Sequence, residues 1–240
     1  MIKLIGFDLD NTLWPVKPAI LKAEAALTEY FKTLRPELNY PPVNIAALRA
    51  KVLEQHPDFS FRLTDLRRRI LFEIAAQSPE HRVNANQIAD AGMRVFLETR
   101  SQVTLYPGAE EALKHLAQRY TLCALTNGNA EVARLSIGRL FSFQLSAESI
   151  GSPKPNPDLF LAALEREQLP PEAMIYVGDD PELDVNAAAK LGIHTIWVNQ
   201  TGFDPAETSD LIQASAAIDD LKDLPAAVEG IEADLNSLLG

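Results

Sequence analysis

Asp8 and Asp10 stand one residue apart where an apolar run, Leu4 to Phe7, comes to an end. Short apolar runs of this kind read as buried strands. A regular continuation would turn both carboxylates to the same side. Like charges placed together in a setting that penalises any charge need compensation. Three further stretches put polar groups where an ordered run stops. They are Leu125-Thr126-Asn127-Gly128-Asn129, Ser152-Pro153-Lys154-Pro155-Asn156-Pro157 and Val177-Gly178-Asp179-Asp180-Pro181-Glu182-Leu183-Asp184. Gathered on one sheet edge, the four stretches offer several carboxylates, one ammonium and one hydroxyl. A single lysine does not balance that many acids, whereas a hard cation with oxygen ligands does. Mg²⁺ suits the set, because it takes one or two protein carboxylates together with substrate phosphate. Asparagine and glycine after Thr126 suit a turn whose backbone N–H groups point at an anion.

Parallel strands in open α/β sheets place ligands at their carboxyl ends, so the acids need such a sheet to hold them. Strand-like runs at Tyr120 to Leu125, Met174 to Val177 and His194 to Val198 alternate with helical patterns. Those helices contain Leu113 and Leu116, Val132 and Leu135, Phe160 and Leu164, and Leu183 and Ala187. Such alternation predicts βαβ units and a Rossmann-like parallel sheet with helices on both faces. Between the first strand and the rest, about four amphipathic helices succeed one another with no strand between them. Their apolar positions are Ile20, Leu27, Phe31 and Leu34, then Ile45, Leu48 and Val52. Leu63, Leu66, Ile70 and Ile74 follow, then Ile88, Ala91 and Val95. Breaks fall at Pro36, Pro41-Pro42, Pro57 and Pro79. The reading is an α/β core of residues 1–16 and 104–240, interrupted by a helical-bundle cap of residues 17–103. Trp14 to Pro18 and Tyr106-Pro107-Gly108 read as hinges between them. A last acidic helix is expected from Leu221 to Leu239.

A net charge of −11 argues against a nucleic-acid polymer as partner. Cys123 is the only cysteine, which excludes an internal disulfide; its apolar neighbours mark a buried structural thiol. Asp8 interrupts any signal-peptide core, and no apolar run approaches the roughly 20 residues of a membrane span. The expectation is a soluble, cytoplasmic protein with no membrane partner. Arg67-Arg68-Arg69 is the densest basic run; on a helix at most two of the three face one way, and the run reads as a solvated face.

The four stretches, in this order and spacing, resemble the haloacid dehalogenase superfamily, in the branch with a helical cap inserted after the first motif. Asp8-x-Asp10-x-Thr12 matches the first motif, Thr126 the second, and Lys154 the third; Gly178-Asp179 with Asp184 matches the fourth. The resemblance implies that Asp8 is a nucleophile forming an aspartyl-phosphate and that Asp10 is general acid and then general base. It implies Mg²⁺ held by Asp8, Asp179 and the Asp10 main-chain carbonyl. Thr126 and the N–H of Asn127 would cradle the phosphoryl group, and Lys154 would offset its charge. Asp184 would support the metal or Lys154, and Asp180 is extra to the pattern. Dehalogenase members lack the second carboxylate of the first motif, which is present here. The function implied is hydrolysis of a small phosphorylated metabolite. Phosphomutase activity and a non-catalytic role binding a phospho-metabolite or partner are the alternatives.

Overall fold

The computed structural model describes residues 1–34, 40–200 and 214–239. The break expected at Pro36 lies outside them. The chain divides into two compact units, Met1–Pro15 with Thr104–Gly240, and Val16–Val103.

The first unit is built on six parallel strands. They are β1 (Leu4–Phe7), β2 (Thr121–Thr126), β3 (Phe143–Ser146), β4 (Met174–Gly178), β5 (His194–Val198) and β6 (Ala216–Ile218). Their order is β3-β2-β1-β4-β5-β6. β1 lies centrally, with Gly6 in register with Cys123 on one side and Tyr176 on the other. Every residue of β1 and β4 is buried, so both read as continuous apolar runs. On one face Leu4, Cys123, Leu125, Met174 and Tyr176 form a core with Phe160, Ala163 and Leu164 of the helix Asp158–Glu167. The order of strands reverses direction at β1, and the carboxyl ends of β1, β2 and β4 meet there. That is the switch point at which doubly wound sheets place ligands.

β3 and β6 escape the sequence reading because they are edge strands, only partly buried, and carry no long apolar run. The helix expected around Val132 and Leu135 is instead two 3₁₀ turns, Val132–Arg134 and Gly138–Leu140. A Cβ on Gly138 would sit 2.5 Å from the carbonyl oxygen of Val132, so this chain crossing requires glycine. The closing helix runs from Leu224 to Leu239 after a 3₁₀ turn at Leu221–Asp223.

The second unit contains α1 (Val16–Leu34), α2 (Ile45–Gln55), α3 (Leu63–Gln77) and α4 (Ala85–Arg100). Leu27, Phe31, Leu66, Leu71, Ala89 and Phe96 are fully buried or nearly so in its core. The inward face of α4 carries Ala85, Ile88, Ala89, Gly92, Met93 and Phe96, one position off the Ala91 and Val95 expected. Arg67 is not a solvated charge. It donates to Glu24, which also accepts the Tyr40 hydroxyl at 2.6 Å, and its guanidinium lies 3.7 Å from the Phe96 ring centroid. Arg68 pairs with Asp90 at 2.7 Å and Arg69 with Glu73 at 2.6 Å.

The segment Trp14 to Pro18 contains a boundary between the units, Pro15 to Val16. Pro18 itself falls in the first turn of α1, where no N–H is needed for the helix ladder. Tyr106 donates its N–H to the Leu13 carbonyl at 2.9 Å. Gly108 has φ +77°, and a Cβ there would lie 2.8 Å from the Lys222 nitrogen. Tyr106 to Gly108 is thus fastened within the α/β unit, and the boundary falls between Val103 and Thr104. No described helix is long and apolar enough to cross a membrane.

Candidate active site

Asp8 follows β1 directly and keeps its backbone in the sheet, its N–H donating to Val177 at 2.9 Å. The chain then turns tightly. Asn11 adopts φ +62°, donates its N–H to the Trp14 carbonyl at 2.7 Å, and so folds Asp10 and Trp14 together. The Trp14 indole N–H donates to Asp10 Oδ1 at 2.9 Å. Trp14 is fully buried, so its ring packs the core while its one polar atom orients an acid. Thr12, also fully buried, donates to Asp179 Oδ1 at 2.9 Å, accepts from the Asp179 N–H at 3.1 Å, and lies 3.4 Å from Asp8 Oδ2. One hydroxyl therefore ties the end of β1 to the end of β4.

Lys154 carries the only ammonium in direct contact with these acids among the described residues. Its Nζ is 2.7 Å from Asp8 Oδ1 and 2.7 Å from Asp184 Oδ1. Its backbone is gripped by Asn127, whose Oδ1 accepts the Lys154 N–H at 2.8 Å and whose Nδ2 donates to the Lys154 carbonyl at 2.9 Å. Asn127, expected to act on an anion through its backbone, also links the β2 end to the lysine loop through its side chain. Thr126 Oγ1 accepts the Gly128 N–H at 2.9 Å, which shapes the turn after β2. A Cβ on Gly128 would be 2.7 Å from Asp10 Oδ2 and 3.2 Å from Thr126 Oγ1. Only glycine allows that turn to approach Asp10 so closely.

Asp179 ends β4's polar extension, and Asp184 lies within the short π-helical segment that follows, Pro181–Asn186. Asp180 caps it, accepting the N–H groups of Glu182 and Leu183 at 2.9 Å each. The extra residue per turn brings Asp184 back over the strand end. Gly178 makes room, since a Cβ there would be 2.4 Å from Asp184 Cγ. Asp184 accepts from the Asp180 N–H through Oδ2 while Oδ1 holds Lys154, so both its oxygens have donors.

One carboxylate oxygen from each of Asp8, Asp179 and Asp184 lies within 4.8 Å of the others. Burial pushes Asp8 well above the usual carboxylate range; Lys154 pulls it down, and Asp184 and Asp179 push it back up. Burial, then Asp184, raises Asp179 to about 6 against the Thr12 hydrogen bond. Burial alone would lower Lys154, but Asp184 and Asp8 outweigh it and keep the ammonium charged. The site thus has more negative charge than its own cation compensates. Its donors are hard oxygens, which fits a divalent cation such as Mg²⁺. Asp8 and Asp179 are the side chains that could hold it, because the oxygens of Asp184 are engaged by Lys154 and Asp180. The side chain of Asp10 is turned toward Trp14 and the Gly128 turn.

Sequence reasoning did not assign Tyr176, whose hydroxyl accepts from Lys154 Nζ at 2.7 Å, or Trp197, whose indole N–H donates to the Asp179 carbonyl at 2.9 Å. Nor did it assign Trp14 a part in the site. A signal exists in each case: a residue with one polar atom inside or beside an apolar strand run needs a partner for it.

The family model for haloacid dehalogenase-like hydrolases matches residues 2–192. The chain belongs to this hydrolase family. Among curated haloacid dehalogenase-like relatives, the 5-amino-6-(5-phospho-D-ribitylamino)uracil phosphatase YigB of Escherichia coli is 30% identical over 210 residues. That match covers 87% of this chain and 88% of the relative. The phosphoglycolate phosphatase of Pseudomonas putida is 25% identical over 232 residues, 92% of this chain and 78% of the relative. A crystal structure of 2-haloacid dehalogenase from Pseudomonas syringae pv. Tomato is 38% identical. It superposes with a TM-score of 0.89 over 96% of this chain and 99% of that one.

Proposed function

We propose that the protein is a Mg²⁺-dependent phosphatase that hydrolyses a small phosphomonoester through an aspartyl-phosphate on Asp8. The observation that carries this reading is Asp10, a second carboxylate held by Trp14 against the Gly128 turn, beside the Thr126 hydroxyl. Displacing halide with a carboxylate needs no proton on the leaving group. Expelling an alkoxide from a phosphate ester does, and Asp10 is the group to supply it. The phosphatases among the relatives support the same reading.

A carboxylate oxygen of Asp8 attacks phosphorus as the ester P–O bond breaks, and the leaving oxygen takes the proton of Asp10. Asp10 then accepts a proton from water as that water attacks the aspartyl-phosphate, releasing phosphate and restoring Asp8. Lys154 holds Asp8 in place and offsets charge on the phosphoryl oxygens, while Thr126 and the N–H of Asn127 bind them. Asp8, Asp179 and the Asp10 carbonyl would hold the metal, which would supply positive charge to offset that of the phosphoryl oxygens. Asp184 and Asp180 act behind these residues, the first on Lys154 and the second as the cap of the segment carrying Asp184.

Similarity to a 2-haloacid dehalogenase structure favours a second reading, in which Asp8 displaces halide from a 2-haloacid. One assay separates them. Phosphate release from an aryl phosphate and a panel of metabolite phosphates is measured beside halide release from 2-haloacids, with Mg²⁺ and with chelator. Metal-dependent phosphate release, abolished in Asp8→Asn and reduced about 10²–10⁴-fold in Asp10→Asn, is expected. Halide release that survives Asp10→Asn, with no phosphate release, would sink the phosphatase reading. Phosphoryl transfer to a second sugar hydroxyl without release would indicate a mutase.

A further inference from the structure

Tyr176 sits in the middle of β4 and is 1% exposed. A phenol so deeply buried needs partners for its oxygen. It has three within reach. The Tyr176 hydroxyl donates to the Leu125 carbonyl at 2.9 Å, one residue before Thr126, accepts from Lys154 Nζ at 2.7 Å, and lies 3.4 Å from Asp184 Oδ1. The lysine ammonium has three donors. Tyr176, Asp8 and Asp184 use all three, each at 2.7 Å. The ring is fixed independently of the site. Phe160 meets it edge-on at a centroid distance of 4.9 Å, and a Cβ on Gly6 in the facing strand would be 2.9 Å from its Cδ2. Lys154 is therefore clamped at both ends, by Asn127 at the backbone and by Tyr176 at the head.

We infer that Tyr176 is a positioning residue for the reaction. Its hydroxyl takes the third N–H of Lys154, so that the other two stay aimed at Asp8 and Asp184, and it ties that geometry to the strand end carrying Thr126. Without the hydroxyl, Lys154 keeps its charge and both acids, but its head is free to swing about them. Ground-state binding of substrate changes little, while the alignment of Asp8 with phosphorus, which matters most in the transition state, is lost. This inference rests on the phosphatase reading for its kinetic consequence, though not for the contact itself.

Tyr176→Phe keeps the ring and removes the oxygen. It is expected to lower kcat by about 10–100-fold with KM within about threefold of wild type, and to weaken inhibition by orthovanadate by a similar factor. In ¹⁵N spectra of lysine side chains, the buried Lys154 ammonium is expected to give a resonance protected from exchange in wild type, and that resonance should broaden or vanish in the variant. Unchanged kcat, or equal losses in kcat, apparent affinity and thermal stability, would overturn the inference and leave Tyr176 a packing residue. If the phenylalanine variant does not fold, site-specific fluorotyrosine at position 176 serves instead. It weakens the phenol oxygen as an acceptor, so kcat should fall, and an unchanged kcat overturns the proposal. Absence of phosphate release in the wild type would refute the phosphatase reading alone, since the ammonium resonance still tests the contact.

Discussion

Replacing Lys154 with methionine removes a charge but keeps most of the stem, and so isolates what the ammonium does for the fold. Lys154 is 3% exposed, and the side chain of Asp184 is 2% exposed. The variant leaves Asp8 and Asp184 buried with oxygens within 4.8 Å of each other. At an effective dielectric of about 20, two charges at that distance repel by about 3 kcal/mol. Removing one member of a buried ion pair typically costs about 3–5 kcal/mol. Urea unfolding in chelator at pH 7.5, followed by the fluorescence of Trp14 and Trp197, should show a loss in that range. Adding Asp8→Asn removes one of the two stranded charges and should return about 2–3 kcal/mol, although each substitution alone deletes part of the site. The pH dependence fixes the sign. Asp8 is already raised above its ordinary value of 3.8 with Lys154 present, and without it rises further. A carboxyl raised in the folded state binds protons that the unfolded chain releases, so its contribution is fullest at low pH and is lost as pH rises through the folded value. Lys154→Met should therefore recover toward wild type between pH 7.5 and 5. A loss under about 1 kcal/mol, or a double variant less stable than Lys154→Met, would refute the reasoning.

The same linkage applies to Asp179, raised by burial to about 6 from 3.8. That difference, 6 minus 3.8, is about two units and worth on the order of 3 kcal/mol, so in chelator wild-type stability should rise as pH falls from about 7 to 4. Mg²⁺ should reverse the trend, because protons compete with it for the same oxygens; thermal unfolding with and without Mg²⁺ should show a larger metal-induced rise in Tm at pH 7.5 than at 5.5. Gly128→Ala places a Cβ 2.7 Å from Asp10 Oδ2, and should lower kcat at least about tenfold with a Tm shift of only a few degrees. Trp14→Phe deletes the donor to Asp10 and should lower kcat by about tenfold, more for substrates with poor leaving groups than for aryl phosphates, since only the former depend strongly on the general acid.

Asp8 and Asp179 were legible in the sequence because each follows an apolar run, and the strands β1, β2, β4 and β5 are buried fully or nearly so, which makes those runs continuous. Edge strands β3 and β6 were not, since they are only partly buried and carry no long apolar run. Arg67 was misread for a different reason: composition shows a basic run, but not that Glu24, Tyr40 and Phe96 converge on it from other elements. The members of the site that escaped assignment share one trait. Trp14, Tyr176 and Trp197 each bury a large ring beside or within a strand and carry a single polar atom that hydrogen-bonds. The rings are held by the core, whose packing fixes their positions to fractions of an ångström. The polar atoms land on Asp10, Lys154 and the Asp179 carbonyl respectively. Carboxylates and an ammonium on short turns would otherwise sample several rotamers, at a cost in alignment that a phosphoryl-transfer site cannot absorb. Coupling each of them to an immobile aromatic transfers the rigidity of the sheet to the reacting groups. The apolar strands and the polar residues at their ends are on this view one device, which is why a tyrosine in the run Met174 to Gly178 carries functional information despite lying outside every motif.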